Sequence, residues 1–183
     1  ELHIRRMPGG KFTEHVFTAM KLREIHRIEM PLGSFFLRED SDAPIVMLAS
    51  GTGFAPIKSL LEQTLQRGTR RPITLYWGGR TRADLYMASL AESWAATHDH
   101  ITFIPVLSNA TDACAWTGRT GFVHQAVMED FPDMSGVQVY ACGAPIMVES
   151  ARHDFTTACR LPEDAFFADA FLSEADRNGL PQA

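Results

Sequence analysis

The sequence lacks the features of several large protein classes, beginning with cysteine. Its three cysteines, Cys114, Cys142 and Cys159, lie far apart and are odd in number, which argues against a disulfide framework. They form no C-x₂-C pair of the kind that binds zinc or an iron–sulfur cluster. Such cysteine usage is typical of a reducing compartment, and we therefore expect a cytoplasmic protein.

The sequence also lacks long apolar runs and blocks of basic residues. No run approaches the roughly 20 residues that span a bilayer, and no signal peptide is visible. With 17 basic and 22 acidic residues, the formal net charge of −5 argues against nucleic acid or a membrane as the main partner. His98 and His100 flank Asp99, but polar residues in this place usually end a helix, so we predict no metal site.

What the sequence does contain is an alternation of strand and helix patterns. Short apolar runs rich in β-branched or aromatic residues predict five buried strands, at residues 45–50, 73–77, 101–107, 137–142 and 165–169. Between them apolar residues recur at helical spacing, as at Ile57, Leu61 and Leu65. This alternation predicts an α/β domain over residues 43–183, with a doubly wound, five-stranded parallel sheet. Right-handed crossovers and one reversal of winding favour the strand order 3-2-1-4-5.

Residues 1–42 differ in character from this domain. They contain a strand-like start (ELHIRR), a glycine turn at Pro8-Gly9-Gly10, an amphipathic stretch through Phe12 and Phe17, and alternating segments up to Phe36. So short a segment does not close a sheet by itself. We interpret it as the end of a β-domain and expect the chain to be part of a longer protein.

Two predicted strand–helix turns carry glycine. The first strand ends in Gly51-Thr52-Gly53, and a helix follows behind Pro56. The fourth strand ends in Cys142-Gly143, and a helix follows through Pro145 and Met147. Each turn brings unpaired N–H groups and the positive end of a helix dipole to one small volume, which suits a phosphate. Because strands one and four are neighbours at the switch point, the two turns predict one crevice for an extended nucleotide.

The chemistry of these turns has more than one interpretation. The first is not a G-x-G-x-x-G fingerprint, because Pro56 occupies the last glycine position, and no Gly-Lys-Ser/Thr follows to make a P-loop. Either its glycines admit a phosphate, with the Thr52 hydroxyl on a phosphate or carboxamide oxygen, or it is an ordinary tight turn. Cys142 either shapes a hydride-transfer pocket beside a nicotinamide or is a small buried apolar side chain. No general base stands out near it, so we predict no covalent catalysis.

The turn after the second strand carries two arginines, Arg80 and Arg82, with Asp84 behind them. In a dinucleotide fold this strand end faces the adenosine ribose, where an acid selects a free 2′-hydroxyl and an arginine accommodates a 2′-phosphate. The two arginines therefore either contact phosphate or are solvated turn residues.

Four motifs in order, GTGFAPIKSLLE, YWGGRTRADLY, YACGAP and FFADAF, resemble the ferredoxin–NADP reductase superfamily. The resemblance covers essentially the whole chain and is strongest to the branch of CDP-6-deoxy-glucoseen reductases and oxygenase reductase components. It implies that residues 51–56 bind the pyrophosphate of a nicotinamide dinucleotide and that Cys142, Gly143 and Pro145 lie beside the nicotinamide. Met147, two residues further on, is predicted to contact the cofactor as well. It also implies that Phe171, with Asp169 close by, lies against a flavin.

Residues 1–42 resemble the end of the FAD-binding barrel of this family. The resemblance implies that Gly10, Lys11, Phe12 and Thr13 bind the flavin phosphate through N–H groups at a helix start and the Thr13 hydroxyl. The R-x-Y-S strand with which the family holds flavin is not found in this sequence, nor is the iron–sulfur domain that often accompanies these reductases.

The resemblance implies an NAD(P)H-dependent FAD oxidoreductase. Hydride would pass from NAD(P)H to FAD beside Cys142 and Phe171, and electrons would leave to an iron–sulfur domain or protein. Arg80 and Arg82 favour NADPH, whereas the branch more often uses NADH, and we expect a slight preference for NADH. The alternative is a nucleotide-binding lobe without catalytic activity of its own.

Overall fold

The computed structural model describes residues 1–30, 32–111 and 115–172. Within them the helices are α1 (Lys11–Thr18), α2 (Phe54–Gln66), α3 (Ala88–Thr97), α4 (Val123–Asp130) and α5 (Pro145–Ala158). The strands are β1 (Ile45–Ser50), β2 (Ile73–Gly79), β3 (Ile101–Leu107), β4 (Arg119–Thr120), β5 (Gln138–Gly143) and β6 (Phe166–Ala170). By its contacts the chain divides into residues 1–36 and a second unit that begins at Leu37.

The strands form one parallel sheet in the order β4-β3-β2-β1-β5-β6. The predicted fold class is confirmed, and the predicted order 3-2-1-4-5 corresponds to β3-β2-β1-β5-β6. The predicted number of five strands is wrong by one, because β4 pairs with Val106 and Leu107 at the edge of the sheet. A strand of two residues is too short to produce a hydrophobic period, so sequence patterning cannot detect it.

Both faces of the central strands are covered, which explains their continuous apolar sequence. Val46 and Leu48 of β1 pack in one cluster with Val127 of α4 and Phe155 of α5. Alternate residues of a strand point to opposite faces, so Met47 faces the other side, where α2 packs against β1. Met47 is buried as well.

The chain reverses its direction of winding between β1 and β5. It runs outward from β1 to β2 and β3, then returns to place β5 on the other side of β1. The carboxyl ends of β1 and β5 are therefore neighbours at the switch point, as the sequence predicts.

Three predicted strands have different bounds in the structure, and the last of them, predicted at residues 165–169, is Phe166–Ala170. The second strand continues past residue 77 to Gly79, and the fourth runs from Gln138 to Gly143. Gly143 is thus the last residue of a strand, and Pro145 is the first residue of the following helix, a position that tolerates its missing N–H.

Among the described residues of the first unit, the regular element is α1, which begins after Gly10 and has no buried side chain. The predicted strand-like start at residues 1–6 is wrong, because this segment forms no ladder with another described segment. A strand needs a hydrogen-bonded neighbour. Several large apolar side chains of this unit, Phe12, Phe17 and Leu22 among them, are exposed. The assignment of residues 1–42 to the end of an FAD-binding barrel stays a prediction.

Two further observations concern membrane spans and thiols. Across the described ranges, every helix is too short or too polar to cross a bilayer. Cys142 and Cys159 are buried free thiols, and Cys114 lies outside the described residues.

Candidate functional site

Two glycine turns meet at the carboxyl edge of the sheet. After Ser50 the chain makes a single 3₁₀ turn, Gly51–Gly53, and enters α2 directly. After Gly143 it passes through Ala144 into α5. Because β1 and β5 are paired in parallel, both turns leave the sheet at the same place.

The two turns are packed backbone against backbone. A Cβ atom on Gly53 would overlap the carbonyl group of Cys142 and lie 2.6 Å from Cα of Gly143. A Cβ atom on Gly143 would overlap Ser50 Oγ and lie 2.6 Å from the Ser50 carbonyl oxygen. Gly143 also has φ of +136°, a conformation that other residues rarely adopt. These two glycines are therefore required to build the crevice itself, whatever ligand it holds.

Two residues that the sequence analysis missed hold the first turn. Ser50 Oγ accepts the Ala144 N–H at 3.0 Å and so links the two turns. Trp77 Nε1 donates to the Gly51 carbonyl at 3.2 Å, and its ring stacks on Phe54 with centroids 3.8 Å apart. The available signals were a hydroxyl at the end of an apolar strand and a tryptophan directly before two glycines.

Two α-helices begin at this edge, and the Phe54 and Ala144 N–H groups at their starts are already engaged within the turns, so the helix dipole is the feature that acts on a ligand. The first N–H groups of an α-helix have no partner within the helix, and the aligned peptide dipoles make this end positive. Neither α2 nor α5 carries an acidic residue in its first turn that would neutralise it. The edge between the turns can therefore attract an anion such as a pyrophosphate.

Cys142, Asp169 and Phe171 lie next to one another beyond these turns. The register of β5 and β6 pairs Cys142 with Asp169. The Phe171 N–H donates to the Gly143 carbonyl at 2.9 Å, which fixes the aromatic residue at the second turn. Phe171 is 41% exposed and so can contact a ligand. Thus the structure brings these predicted residues together; their roles toward cofactors stay predictions.

Burial controls the ionisation of Cys142 and Asp169. Burial, and then the Asp169 carboxylate, raise the pKa of the Cys142 thiol far above its ordinary value. The thiol is therefore neutral and a poor nucleophile. Burial also raises the pKa of Asp169.

The remaining predicted residues of the second unit lie around the same edge. Thr52 is half-buried within the 3₁₀ turn, and Pro56 is half-buried in the first turn of α2. Pro145 begins α5. Met147 is half-buried and packs against the hydrophobic core, so its predicted contact with a cofactor stays a prediction.

The arginine turn, residues 80–84, follows β2 and is held by its own residues. The Asp84 carboxylate accepts the N–H groups of Arg80 at 3.0 Å and Thr81 at 2.8 Å. Both hydrogen bonds lie within residues 80–84, so this carboxylate stabilises the turn itself. The side chains of Arg80 and Arg82 are exposed, and the pairing of Gly78 with Ser50 brings this turn beside the first glycine turn.

In the first unit, Gly10 and Thr13 form a compact helix start. The Thr13 hydroxyl accepts the Met7 N–H at 3.1 Å. A Cβ atom on Gly10 would lie 2.7 Å from this hydroxyl oxygen. Lys11 and Phe12 begin α1, whose first N–H groups are available to a phosphate. Whether these residues bind flavin stays a prediction.

Comparison with known proteins adds four observations. The family model described as the oxidoreductase NAD-binding domain matches residues 47–153, a range that contains both glycine turns. The CDP-6-deoxy-L-threo-D-glycero-4-hexulose-3-dehydrase reductase of Yersinia pestis is 46% identical over 172 residues, which cover 94% of this chain and 51% of that protein. The NAD(P)H-flavin reductase of Aliivibrio fischeri is 37% identical over 175 residues, covering 93% of this chain and 73% of that protein. The crystal structure of the Amycolatopsis cytochrome P450 reductase GcoB matches with a TM-score of 0.82 and 34% identity, over 93% of this chain and 51% of that one.

The chain thus spans about half the length of the Yersinia and Amycolatopsis proteins.

Proposed function

Because the chain belongs to the oxidoreductase NAD-binding domain family, we propose that its crevice binds NAD(P)H and that the whole protein is a flavin-dependent reductase. The observation that carries the proposal is the pair of interlocked glycine turns at the carboxyl ends of β1 and β5. The name of the Yersinia relative also agrees with the reductase branch that the sequence resembles, and that resemblance is confirmed.

The residues present fit a dinucleotide. Gly51 and Gly53 have no side chain to cover the backbone at the start of α2, and Gly143 leaves the backbone before α5 uncovered in the same way. We expect the pyrophosphate to lie at these helix starts, where the positive end of the dipole attracts it, with the Thr52 hydroxyl as a hydrogen-bond donor. No carboxylate in the first turn of either helix competes with it.

At the other end of the crevice, Cys142, Asp169 and Phe171 would receive the nicotinamide. The neutral, buried thiol of Cys142 fills space and excludes water without attacking the ring. Phe171 is fixed through its backbone and presents an exposed ring on which a flat cofactor can stack. When both cofactors are bound, the reduced nicotinamide supplies a hydride to the flavin, which can release electrons singly.

The residues of the first unit also fit a phosphate of FAD. Gly10 leaves the start of α1 open, and Thr13 fixes the preceding turn through Met7. We propose that the N–H groups of Lys11, Phe12 and Thr13 hold this phosphate, and that residues 1–42 complete an FAD-binding barrel in the whole protein. The name of the Aliivibrio relative, an NAD(P)H-flavin reductase, supports a flavin.

The adenosine end would lie at the arginine turn. Asp84 is engaged by backbone N–H groups, so it is poorly placed to select a free 2′-hydroxyl. The exposed Arg80 and Arg82 can bind a 2′-phosphate, yet they do not exclude a nucleotide with a free ribose 2′-hydroxyl. We propose that both nucleotides bind, with a slight preference for NADH.

The acceptor of the electrons is proposed to be an iron–sulfur domain or protein. The Yersinia relative is named the reductase of a dehydrase, and the Amycolatopsis structure is named a cytochrome P450 reductase. Both names describe proteins that reduce a partner. The buried free thiols of Cys142 and Cys159 are compatible with a reducing cytoplasm, the compartment that we propose.

A second candidate is a nucleotide-binding lobe that does not turn over by itself. The observation that favours it is that the chain spans about half of the Yersinia protein. In this case the chain would bind NADH, whereas flavin reduction would need the rest of the protein.

An anaerobic absorbance titration separates the two candidates. FAD is added to the 183-residue chain, NADH is then added, and the flavin band is followed. A shift on binding and bleaching by NADH support the reductase as a property of this chain. If the flavin band does not shift but calorimetric titration shows NADH binding, the lobe is supported, and failure to bind either nucleotide overturns both.

A further inference from the structure

In the first unit, three metal-ligating side chains converge. They are His15 of α1 and, from the segment that follows the helix, Glu24 and His26. His15 Nε2 lies 2.6 Å from Glu24 Oε1, and His26 Nε2 lies 3.5 Å from the same oxygen. The three ligand atoms lie within 4.8 Å of one another. One carboxylate oxygen thus faces two imidazole nitrogens; its contact with His15 is a hydrogen bond, which a cation held by all three groups would replace.

The carboxylate is oriented by its own turn. The Glu24 N–H donates to the Lys21 carbonyl at 3.1 Å, and the Lys21 N–H donates to Glu24 Oε2 at 3.0 Å. The second oxygen, Oε1, is left facing the two histidines. Support of a ligand by a backbone group is typical of metal sites, because it fixes the direction of the lone pairs.

The two histidines are also held in place. His15 is in the last turn of α1, and its carbonyl accepts the N–H groups of Ala19 and Met20, where the helix ends. The ring of Phe12, one turn earlier, meets the ring of His26 edge to face, with centroids 6.2 Å apart. The site therefore joins the helix to the segment that returns past it.

An ion from solvent can reach this position. The side chains of His15, Glu24 and His26 are 37%, 31% and 32% exposed. Two imidazoles and one carboxylate are a ligand set that zinc uses, with water in the fourth position. Copper(II) and nickel(II) also favour imidazole nitrogen.

We propose that His15, Glu24 and His26 form a divalent transition-metal site that prefers zinc. The bound ion would connect residues 21–26 to α1. The site departs from the expectation of no metal that the sequence suggested. Its ligands are nine and two positions apart, and no short motif marks them, because the turn at residues 21–24 creates the proximity. The proposal is independent of the proposed reductase function.

The other histidine pair of the sequence offers a contrast. His98 and His100 flank Asp99, but the carboxylate of Asp99 is engaged by the Arg70 guanidinium at 2.7 and 2.9 Å. An oxygen paired with an arginine is less available to a cation. His98 therefore serves as a control position.

The first test is calorimetric titration of the 183-residue chain with zinc chloride at a pH of about 7.5, where ordinary imidazoles are largely neutral. We expect one zinc ion per chain. His26→Gln and Glu24→Gln should each weaken binding by roughly tenfold or more, since each removes one of three protein ligands. His98→Gln and His153→Gln, which remove histidines elsewhere, should leave the affinity unchanged.

The second measurement locates the ion without a variant. In proton NMR spectra of the wild-type chain, zinc should shift the ring resonances of His15 and His26 and leave those of His98 and His153 in place. Zinc should also raise the Tm of the wild type more than that of His26→Gln, because it binds the folded form. Absence of saturable binding, equal affinity in the variants, or ring shifts at other histidines would overturn the proposal.

Discussion

The glycine turns and the arginine turn lie at one edge of the sheet but are held in different ways. The glycine turns after β1 and β5 hold each other, since the backbone at Gly53 lies directly against Cys142 and Gly143. The arginine turn after β2 is held by Asp84, which caps its own segment. The glycine turns are thus stabilised by contacts between segments that are distant in the sequence, whereas the arginine turn is stabilised by contacts within itself.

This difference determines which properties a substitution in each turn can change. A side chain added at Gly53 must displace the backbone of a neighbouring strand, so both stability and binding are affected. The arginine side chains extend from a turn that does not need them, so they can affect the choice of nucleotide and leave the fold intact. Single substitutions in the two kinds of turn test this separation.

The largest effect is expected from Gly53→Ala. The new Cβ would overlap the Cys142 carbonyl, and overpacking of this kind costs roughly 1–3 kcal/mol or more. For a chain of this size we expect Tm to fall by about 5–10 °C and nucleotide binding to be lost. Thermal unfolding and NADH titration measure the two effects.

Gly136→Ala is the matched control. Nothing lies within 4 Å of a Cβ at Gly136, which is exposed. Its Tm and NADH affinity should equal those of the wild type. If Gly53→Ala behaves like this control, the turns do not depend on their close approach.

A smaller and selective effect is expected from Arg80→Ala. Loss of one charged contact to a 2′-phosphate should weaken NADPH binding by about tenfold and leave NADH affinity and Tm nearly unchanged. Arg70→Ala removes an exposed arginine before β2, away from the crevice, and should change neither affinity. An unchanged preference between NADPH and NADH in Arg80→Ala would show that this side chain does not contact a 2′-phosphate.

Ser50→Ala should destabilise the link between the two glycine turns. The Ala144 N–H loses its acceptor at 3.0 Å, but water can replace it, so we expect a loss of about 1 kcal/mol in the free energy of unfolding. Urea unfolding measures this value. Ser93→Ala removes an exposed helical hydroxyl and should cost less. Equal losses in the two variants would argue against a linking role of Ser50.

The smallest effect concerns pH. Burial raises the pKa of Asp169 in the folded protein, whereas aspartate in unfolded chains titrates near about 3.9. Directly above that pH the folded form binds more protons than the unfolded chain, so the free energy of unfolding falls as pH rises through this window. Asp169→Asn should remove this fall.

Tm measured from about pH 4 to about pH 7 gives the comparison. The exposed Asp164→Asn should retain the wild-type profile of Tm against pH. A profile of Asp169→Asn that coincides with the wild type would contradict the burial of an ionisable carboxyl.

The strand order and the place of the crevice could be predicted from sequence because handedness and alternation leave few topologies. The edge strand β4 could not, since two residues carry no period. The link from Ser50 to Ala144 and the cluster of His15 with Glu24 and His26 depend on distances between segments. A pattern of residue types does not encode such distances.

The glycine turns also show what a pattern of residue types cannot decide. Their sequences indicate a tight turn and an anion site equally well, and the structure assigns Gly53 and Gly143 to the packing of two backbones. The identity of the ligand depends on the N–H groups that this packing leaves free. Only a binding measurement reports on those groups.

The most direct test of the nucleotide crevice is a ¹H–¹⁵N NMR titration of the 183-residue chain with NADH. We predict that the largest amide shifts occur at residues 51–54, 143–144 and 146–147, in the two glycine turns and the helix starts that follow them. Saturation with no shift in these turns, or with shifts centred on residues 97–100 at the opposite edge, would contradict the account.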